Sequence, residues 1–253
     1  MEMNSFFKVA LGAAIAAFAF AACDSGSSSD SGSAESSPAA ADGSTTAGAW
    51  PYMNPAVSYG KITDPRDGQV YKTVVIGSQT WMAQNLNYAV LNSWCYENSA
   101  DSCSKYGRLY RWSAAMAVDA MYDSLSLGAD GIKHQGLCPD GWHIPNDNEW
   151  DTLAVAVGGV ANKNGYDDAG EKLKNMTGWE LRNGTDDYGF SALAAGDFNT
   201  RYFDYSGNFA VFWSASEFKA GDAYEWMLAD QDYALDRYDN GKEEGLSVRC
   251  VKD

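Results

Sequence analysis

Apolar positions divide this chain into three regimes. Residues 9–22 are an almost unbroken apolar run, residues 24–49 contain almost no large apolar side chain, and from about residue 57 short apolar segments alternate with Gly, Asp and Asn clusters. In the last regime residues 69–76 alternate as a strand and Gly77-Ser78 is a turn into Thr80-Trp81-Met82, which predicts a hairpin. Leu109, Trp112, Ala115 and Met116 recur at helical spacing, as do Trp150, Leu153, Ala154 and Val157. The second helix opens after Pro145-Asn146 with Asp147 and Glu149 in its first turn, where carboxylates meet the positive end of the helix dipole. Residues 168–176 predict a third, weaker helix stopped near Gly178. Beyond Gly189, strands are predicted over residues 190–194, 211–216, 223–229 and 246–251. Strands at both ends with helices between them predict an α+β domain of short antiparallel strands, two to three helices and long loops.

The first apolar run is about 14 residues long, short of the roughly 20 that span a bilayer core. It fits a signal peptide over residues 1–22, and Ala21-Ala22-Cys23 resembles a bacterial lipobox, with Phe20 where leucine is usual. Lipidation is therefore expected at Cys23, with the membrane as partner through that lipid and the outer membrane or cell surface as location. Residues 23–56, rich in Ser, Gly and Ala, cannot bury enough surface to offset their ordering entropy and read as a disordered tether. Residues 57–253 then form one globular domain.

Charge and cysteines narrow the function classes. Acids outnumber bases 34 to 18, a formal charge of −16 that removal of Glu2 and Lys8 leaves unchanged, and such a balance opposes nucleic acid as a partner. Besides Cys23 there are Cys95, Cys103, Cys138 and Cys250, which allow three pairings. Cys95 and Cys103 bracket a small polar loop and form the natural local pair, leaving Cys138 with Cys250. No Cys-x-x-Cys occurs and the only histidines are His134 and His143, so a zinc site is not expected. Tyr238 stands at a ligand position of residues 236–241 and removes an EF-hand reading. Asp230 with Asp232, or Asp186 with Asp187, offers oxygens for a structural calcium ion, but solvated turns account for them, and no cofactor or metal is expected. The chain has no Gly-x-Ser-x-Gly, no phosphate-binding Gly-x4-Gly-Lys and no His-Glu-x-x-His, so no catalytic residue is assigned and the protein is not expected to be an enzyme. His143 reads as a packing or hydrogen-bonding residue and His134 as an exposed one. Most tryptophans fall at core positions. Arg201, Tyr202, Asp204 and Tyr205 are the candidate ligand-binding residues, because rings beside polar groups stack on sugars and bond their hydroxyls.

Five segments carry a resemblance. Residues 67–88 (with Gln79-Thr80-Trp81-Met82-Ala83-Gln84-Asn85-Leu86), Tyr106-Gly107-Arg108-Leu109-Tyr110-Arg111-Trp112, Cys138-Pro139-Asp140-Gly141-Trp142-His143-Ile144-Pro145 with Glu149-Trp150, Phe212-Trp213-Ser214-Ala215-Ser216-Glu217, and Ser247-Val248-Arg249-Cys250-Val251 resemble the Fibrobacter succinogenes major paralogous domain over about residues 64–253. That family implies a secreted or lipid-anchored protein of fibre-degrading or gut bacteria and no defined activity. The segment from Gly141 to Trp150 is also similar to formylglycine-generating and sulfatase-modifying proteins, which implies a C-type-lectin-like fold with a long loop over residues 196–208. The reactive cysteine pair of those enzymes has no counterpart once all four domain cysteines are in disulfides. The tripeptides that hold calcium in lectins are missing, and Trp213-Ser214-Ala215 stands where Trp-Asn-Asp is usual. The expectation is a surface domain that recognises polysaccharide or an envelope protein, against two alternatives: an enzyme acting on fibre or envelope polymers, and a structural envelope subunit.

Overall fold

The computed structural model describes residues 50–128 and 133–253. The signal peptide expected over 1–22, the lipidation expected at Cys23 and the tether expected over 23–56 as far as residue 49 lie outside the described residues; in its described part, residues 50–56, Asn54 is buried with Nδ2 donating to Asp186 O at 2.9 Å and Met53 packs on the core. In chain order the strands are β1 (Gly60–Thr63), β2 (Val70–Ile76), β3 (Gln79–Met82), β4 (Ser93–Trp94), β5 (Leu109–Tyr110), β6 (Trp142–His143), β7 (Val160–Ala161), β8 (Gly165–Asp167), β9 (Ala195–Phe198), β10 (Phe203–Ser206), β11 (Phe209–Lys219), β12 (Asp222–Ala229), β13 (Leu235–Gly241), β14 (Leu246–Ser247) and β15 (Val251–Lys252). The α-helices are α1 (Ala100–Tyr106), α2 (Trp112–Ala115), α3 (Asp147–Ala156) and α4 (Ala169–Leu173).

The strands make two sheets. One has the order β1-β2-β3-β15-β6, so both ends of the domain lie in it, and the other runs β4-β5-β14-β11-β12-β13-β8-β7 with β9 and β10 attached to β11. Pairing is mostly antiparallel, and β11 pairs parallel with β14 and β9. The β2–β3 hairpin forms as its alternation predicts, with Val74 opposite Trp81, and turns at Gly77, whose φ of +58° and closeness to Ala156 leave no room for a side chain. Helix α3 is set by a capping box: Asn146 Oδ1 accepts from the Glu149 amide at 3.1 Å and Glu149 Oε2 accepts from the Asn146 amide at 3.0 Å. Its Trp150, Leu153 and Ala154 enter a core with Trp81, Phe190, Phe212 and Trp226. A second core, on the other side of β11, gathers Trp112, Tyr110, Trp142, Trp213, Met82 and the Cys138–Cys250 disulfide.

Several expectations need correction. Among the described residues there are four α-helices rather than two or three: the polar stretch between Cys95 and Cys103, read as a loop, winds into a 3-10 turn at Tyr96–Asn98 and the start of α1. The helix expected around Trp112 is a single turn, because the chain at Leu109–Tyr110 pairs with β4 and β14 instead. Residues 190–194 are buried but not a strand. Ser191 sits at φ 55°, and its amide bonds the Asp186 carboxylate at 2.7 Å while the Ala192 amide bonds Leu173 O. The C-terminal strand is split between the sheets, β14 in one and β15 in the other, as the chain turns Arg249 into the core.

The disulfides join Cys95 to Cys103 and Cys138 to Cys250, the pairing that the loop lengths predicted. A buried ion pair ties a third region. Lys242 Nζ bonds Glu217 and the carbonyls of Tyr122, Leu125 and Ala220, over the Trp112 ring at 4.4 Å. Glu217 also accepts from the Leu127 and Gly128 amides and from Ser126. Burial pushes the Glu217 carboxyl up, but Lys242 and these donors outweigh it and hold the pKa below its ordinary value.

Candidate recognition surface

The segment expected to be a long loop, residues 196–208, is mostly a β-hairpin. Strands β9 and β10 pair with Phe198 opposite Phe203 and Asp197 opposite Asp204. Gly196, at φ +68°, allows β10 to pass closely, since a Cβ there would lie 2.1 Å from Asp204 O. The connecting turn is organised by Asn199, whose Oδ1 accepts from the Tyr202 amide at 3.0 Å and whose Nδ2 donates to Asp204 Oδ2 at 2.6 Å. Underneath, Phe198 packs on Trp94 at 4.6 Å and on Phe203 at 4.8 Å, and Phe203 on Tyr96 at 5.4 Å. Tyr96 neighbours the Cys95–Cys103 disulfide in the chain, so a stapled aromatic base supports the turn.

The four candidate residues sit on this hairpin in two settings. Arg201 and Tyr202 occupy the turn, and Tyr202 is 65% exposed. Asp204 is engaged by Asn199, and Tyr205 packs its ring on Phe209 at 4.9 Å while remaining 52% exposed. Tyr205 and Thr200 adopt positive φ, 63° and 70°, a conformation that costs a non-glycine residue free energy and holds the turn in one shape.

Beneath the hairpin lie carboxyls that sequence reasoning passed over. Asp197 shares a face with Asp204, is buried, and its Oδ1 has no hydrogen-bond partner among the described residues. Burial pushes its pKa up to about 7, and the charges of Glu244 and Asp204 add to the shift. Glu225 on β12 is also pushed up to about 7 by burial, with Asp197, Glu244 and Asp239 adding and the Asn240 amide, 2.9 Å away, pulling back. Asp186, in the other core, reaches about 7 by burial, although Ser191 donates to it through amide and hydroxyl at 2.7 Å each. Among the described residues none of the three is in an ion pair.

These shifts fix a pH dependence. The three carboxyls hold protons in the folded state that the unfolded chain releases near pH 4, so their stabilisation is full below that pH and is lost as pH rises through about 7. Asp64 and Glu217, held low by Arg66 and Lys242, act oppositely and destabilise the fold as pH falls below about 4. Stability should peak in mildly acidic solution and fall by roughly 6 kcal/mol between pH 5.5 and 8, about 2 for each carboxyl. Urea unfolding at the two pH values checks this, and Asp197→Asn should reduce the difference by about a third; an unchanged midpoint contradicts it.

The remaining candidates have structural partners. His143 is buried, with Nδ1 2.6 Å from Asp253 and Nε2 2.7 Å from Glu149, and so connects the C-terminus to the α3 capping box. His134 is half-buried rather than exposed and bridges Ile144, and burial lowers its pKa. Asp230 accepts from Asn208 at 3.0 Å. Among the described residues no three His, Cys, Asp or Glu side chains are grouped to hold a metal ion.

The fold is thus a disulfide-stapled domain of helices and mostly antiparallel strands that presents a polar and aromatic hairpin on a rigid base. The family model of the Fibrobacter succinogenes major domain matches residues 74–252, and the chain belongs to that family. No curated protein and no solved structure matches it. The largest side chains in the segments that carry the resemblance are mostly interior. Trp81, Trp112, Trp150, Phe212, Trp213 and Arg249 are all fully buried, and the Arg249 guanidinium bonds Asn85 Oδ1 at 2.7 Å and Met82 O at 3.2 Å beside the Phe190 ring. These packing residues flank the exposed hairpin in the chain.

Proposed function

We propose that the chain is an exported lipoprotein, anchored through Cys23, that displays a non-catalytic domain for noncovalent recognition of polysaccharide or an envelope protein at the bacterial surface. The observation that carries this reading is the hairpin: Arg201 and Tyr202 project from a turn held by Asn199 over an aromatic base, and Tyr205 is half exposed on the adjoining strand β10. A preformed turn loses little entropy on binding, and exposed tyrosines offer stacking faces with a hydroxyl at the tip. A C-type-lectin-like fold agrees with the two ends of the domain meeting in one sheet while the chain between them builds the second. Asp197 Oδ1 and Glu225 lie beneath the surface instead of facing a substrate, which supports recognition over hydrolysis.

Protease shaving of intact cells is expected to release the domain, and a polysaccharide panel together with crosslinking in cells is expected to give a ligand. Tyr202→Ala and Arg201→Ala should each weaken that ligand about tenfold, near 1.4 kcal/mol, and leave the Tm unchanged because both side chains are exposed. A domain protected in intact cells, binding indifferent to both substitutions, or release of products from the polymers would count against the reading.

A further inference from the structure

Three aromatic rings form a stack that runs from the core to the surface. Trp150 lies nearly parallel to Trp226, centroids 6.0 Å apart at 17°, and Trp226 lies nearly parallel to Tyr166, 6.4 Å apart at 23°. Trp150 packs inward on Trp81, Phe190 and Phe212, and both tryptophans are buried. Tyr166, on β8, is only partly buried and lines a recess of about 200 Å³ together with Asp151, Asn162, Asn164 and Arg237. One face of the Tyr166 ring is covered by Trp226, and the edges of both rings border the recess.

The polar rim is fixed in place. Arg237 is held at 3.3 Å by Asp147, which also accepts from Trp226 Nε1 at 3.0 Å, so guanidinium and stack share one anchor. Asn162 Oδ1 accepts from the amides of Asn164 and Gly165 at 2.7 and 2.8 Å and shapes the turn between β7 and β8. Residues 162–164 also border a wider cleft of about 620 Å³ lined by Asp167, Asp168, Asp232 and Asp236.

We propose that the Tyr166 recess is a subsite for one pyranose ring of a neutral polysaccharide, whose chain continues over residues 162–164 into the wider cleft. The C–H face of a pyranose stacks on an aromatic ring, and its hydroxyls find the donors of Arg237, Asn162 and Asn164 and the acceptor of Asp151. Five aspartates against Lys163 and Arg237 repel a uronate polymer and leave neutral chains. The site lies on other elements than the 199–202 turn and does not depend on that hairpin binding anything.

Affinity electrophoresis of the full chain through gels containing hydroxyethyl cellulose, soluble xylan or galactomannan tests this, with polygalacturonate as the anionic comparison. At least one neutral polymer should retard the protein and polygalacturonate should not. Tyr166→Ala should weaken retardation about tenfold, Tyr166→Phe should retain it, and Tyr202→Ala should retain it for a polymer that the hairpin does not itself bind. Asp151→Ala, at a half-buried position of α3 beside Tyr166, should weaken it about threefold and serves if Tyr166→Ala unfolds. The inference is overturned if no neutral polymer retards the wild type, if polygalacturonate retards it more, or if Tyr202→Ala abolishes retardation while Tyr166→Ala and Asp151→Ala leave it intact.

Discussion

Replacing Cys138 and Cys250 together by alanine is expected to lower the Tm by about 10–20 °C, the largest effect of any pair of substitutions considered. The bridge spans 112 positions, and closing a loop of that length removes about 5 kcal/mol of entropy from the unfolded chain. For a domain of this size each kcal/mol shifts Tm by about 2–4 °C. Both sulfurs are buried in the second core, and Cys250 follows the Arg249 side chain that binds Asn85 and Met82, so the bridge also holds β15 between β3 and β6. The Cys95–Cys103 bridge spans 8 positions and should be worth only about half as much, near 3 kcal/mol. Thermal unfolding of the two double variants without reductant measures the difference. Equal losses, or a greater loss from the local pair, would rule out loop length as the cause.

The disulfides and the core positions of most tryptophans were legible in the sequence because their signals are local or carried by large side chains at regular intervals. Trp81 in an alternating strand and Trp150, Leu153 and Ala154 at helical spacing went where their periods placed them. The resemblance implied a loop over residues 196–208, and nothing in the residues opposed it, because the turn, Asn199 to Tyr202, lacks the Asn-Gly or Asp-Gly pair that marks a tight turn. Its shape comes from one asparagine side chain and from residues held at positive φ. Strand β13 escaped notice for another reason: Asp236, Arg237 and Asp239 are too polar for a strand pattern, and its partners β12 and β8 supply the pairing. The recess at Tyr166 had no sequence signature at all. Asp151, Tyr166, Trp226 and Arg237 come from α3, β8, β12 and β13, and only the sheet order brings them together. Family motifs point inward to packing in this fold, and surface chemistry is assembled from residues between the motifs.

The second large effect is expected at Lys242, where Lys242→Met should destabilise the domain by about 3–5 kcal/mol. The substitution leaves the Glu217 carboxylate buried with amide and hydroxyl donors but no positive charge, and strands the carbonyls of Tyr122, Leu125 and Ala220 that Lys242 Nζ now satisfies. Removing the charge on the other side as well should repair most of this. In Lys242→Met with Glu217→Gln, the Gln oxygen keeps the Leu127 and Gly128 amides bonded and no ion is buried, so the double variant should lie within about 2 kcal/mol of the wild type. Urea unfolding of both single variants and the double closes the cycle. Hydrogen exchange adds a local readout, because Lys242 and Glu217 together hold the segment from Tyr122 to Gly128 against the end of β11. Faster exchange there in Lys242→Met, restored in the double variant, is the expected pattern. Losses that simply add, or a single variant within about 1 kcal/mol of the wild type, would mean that packing against Trp112 holds this segment and the ion pair does not.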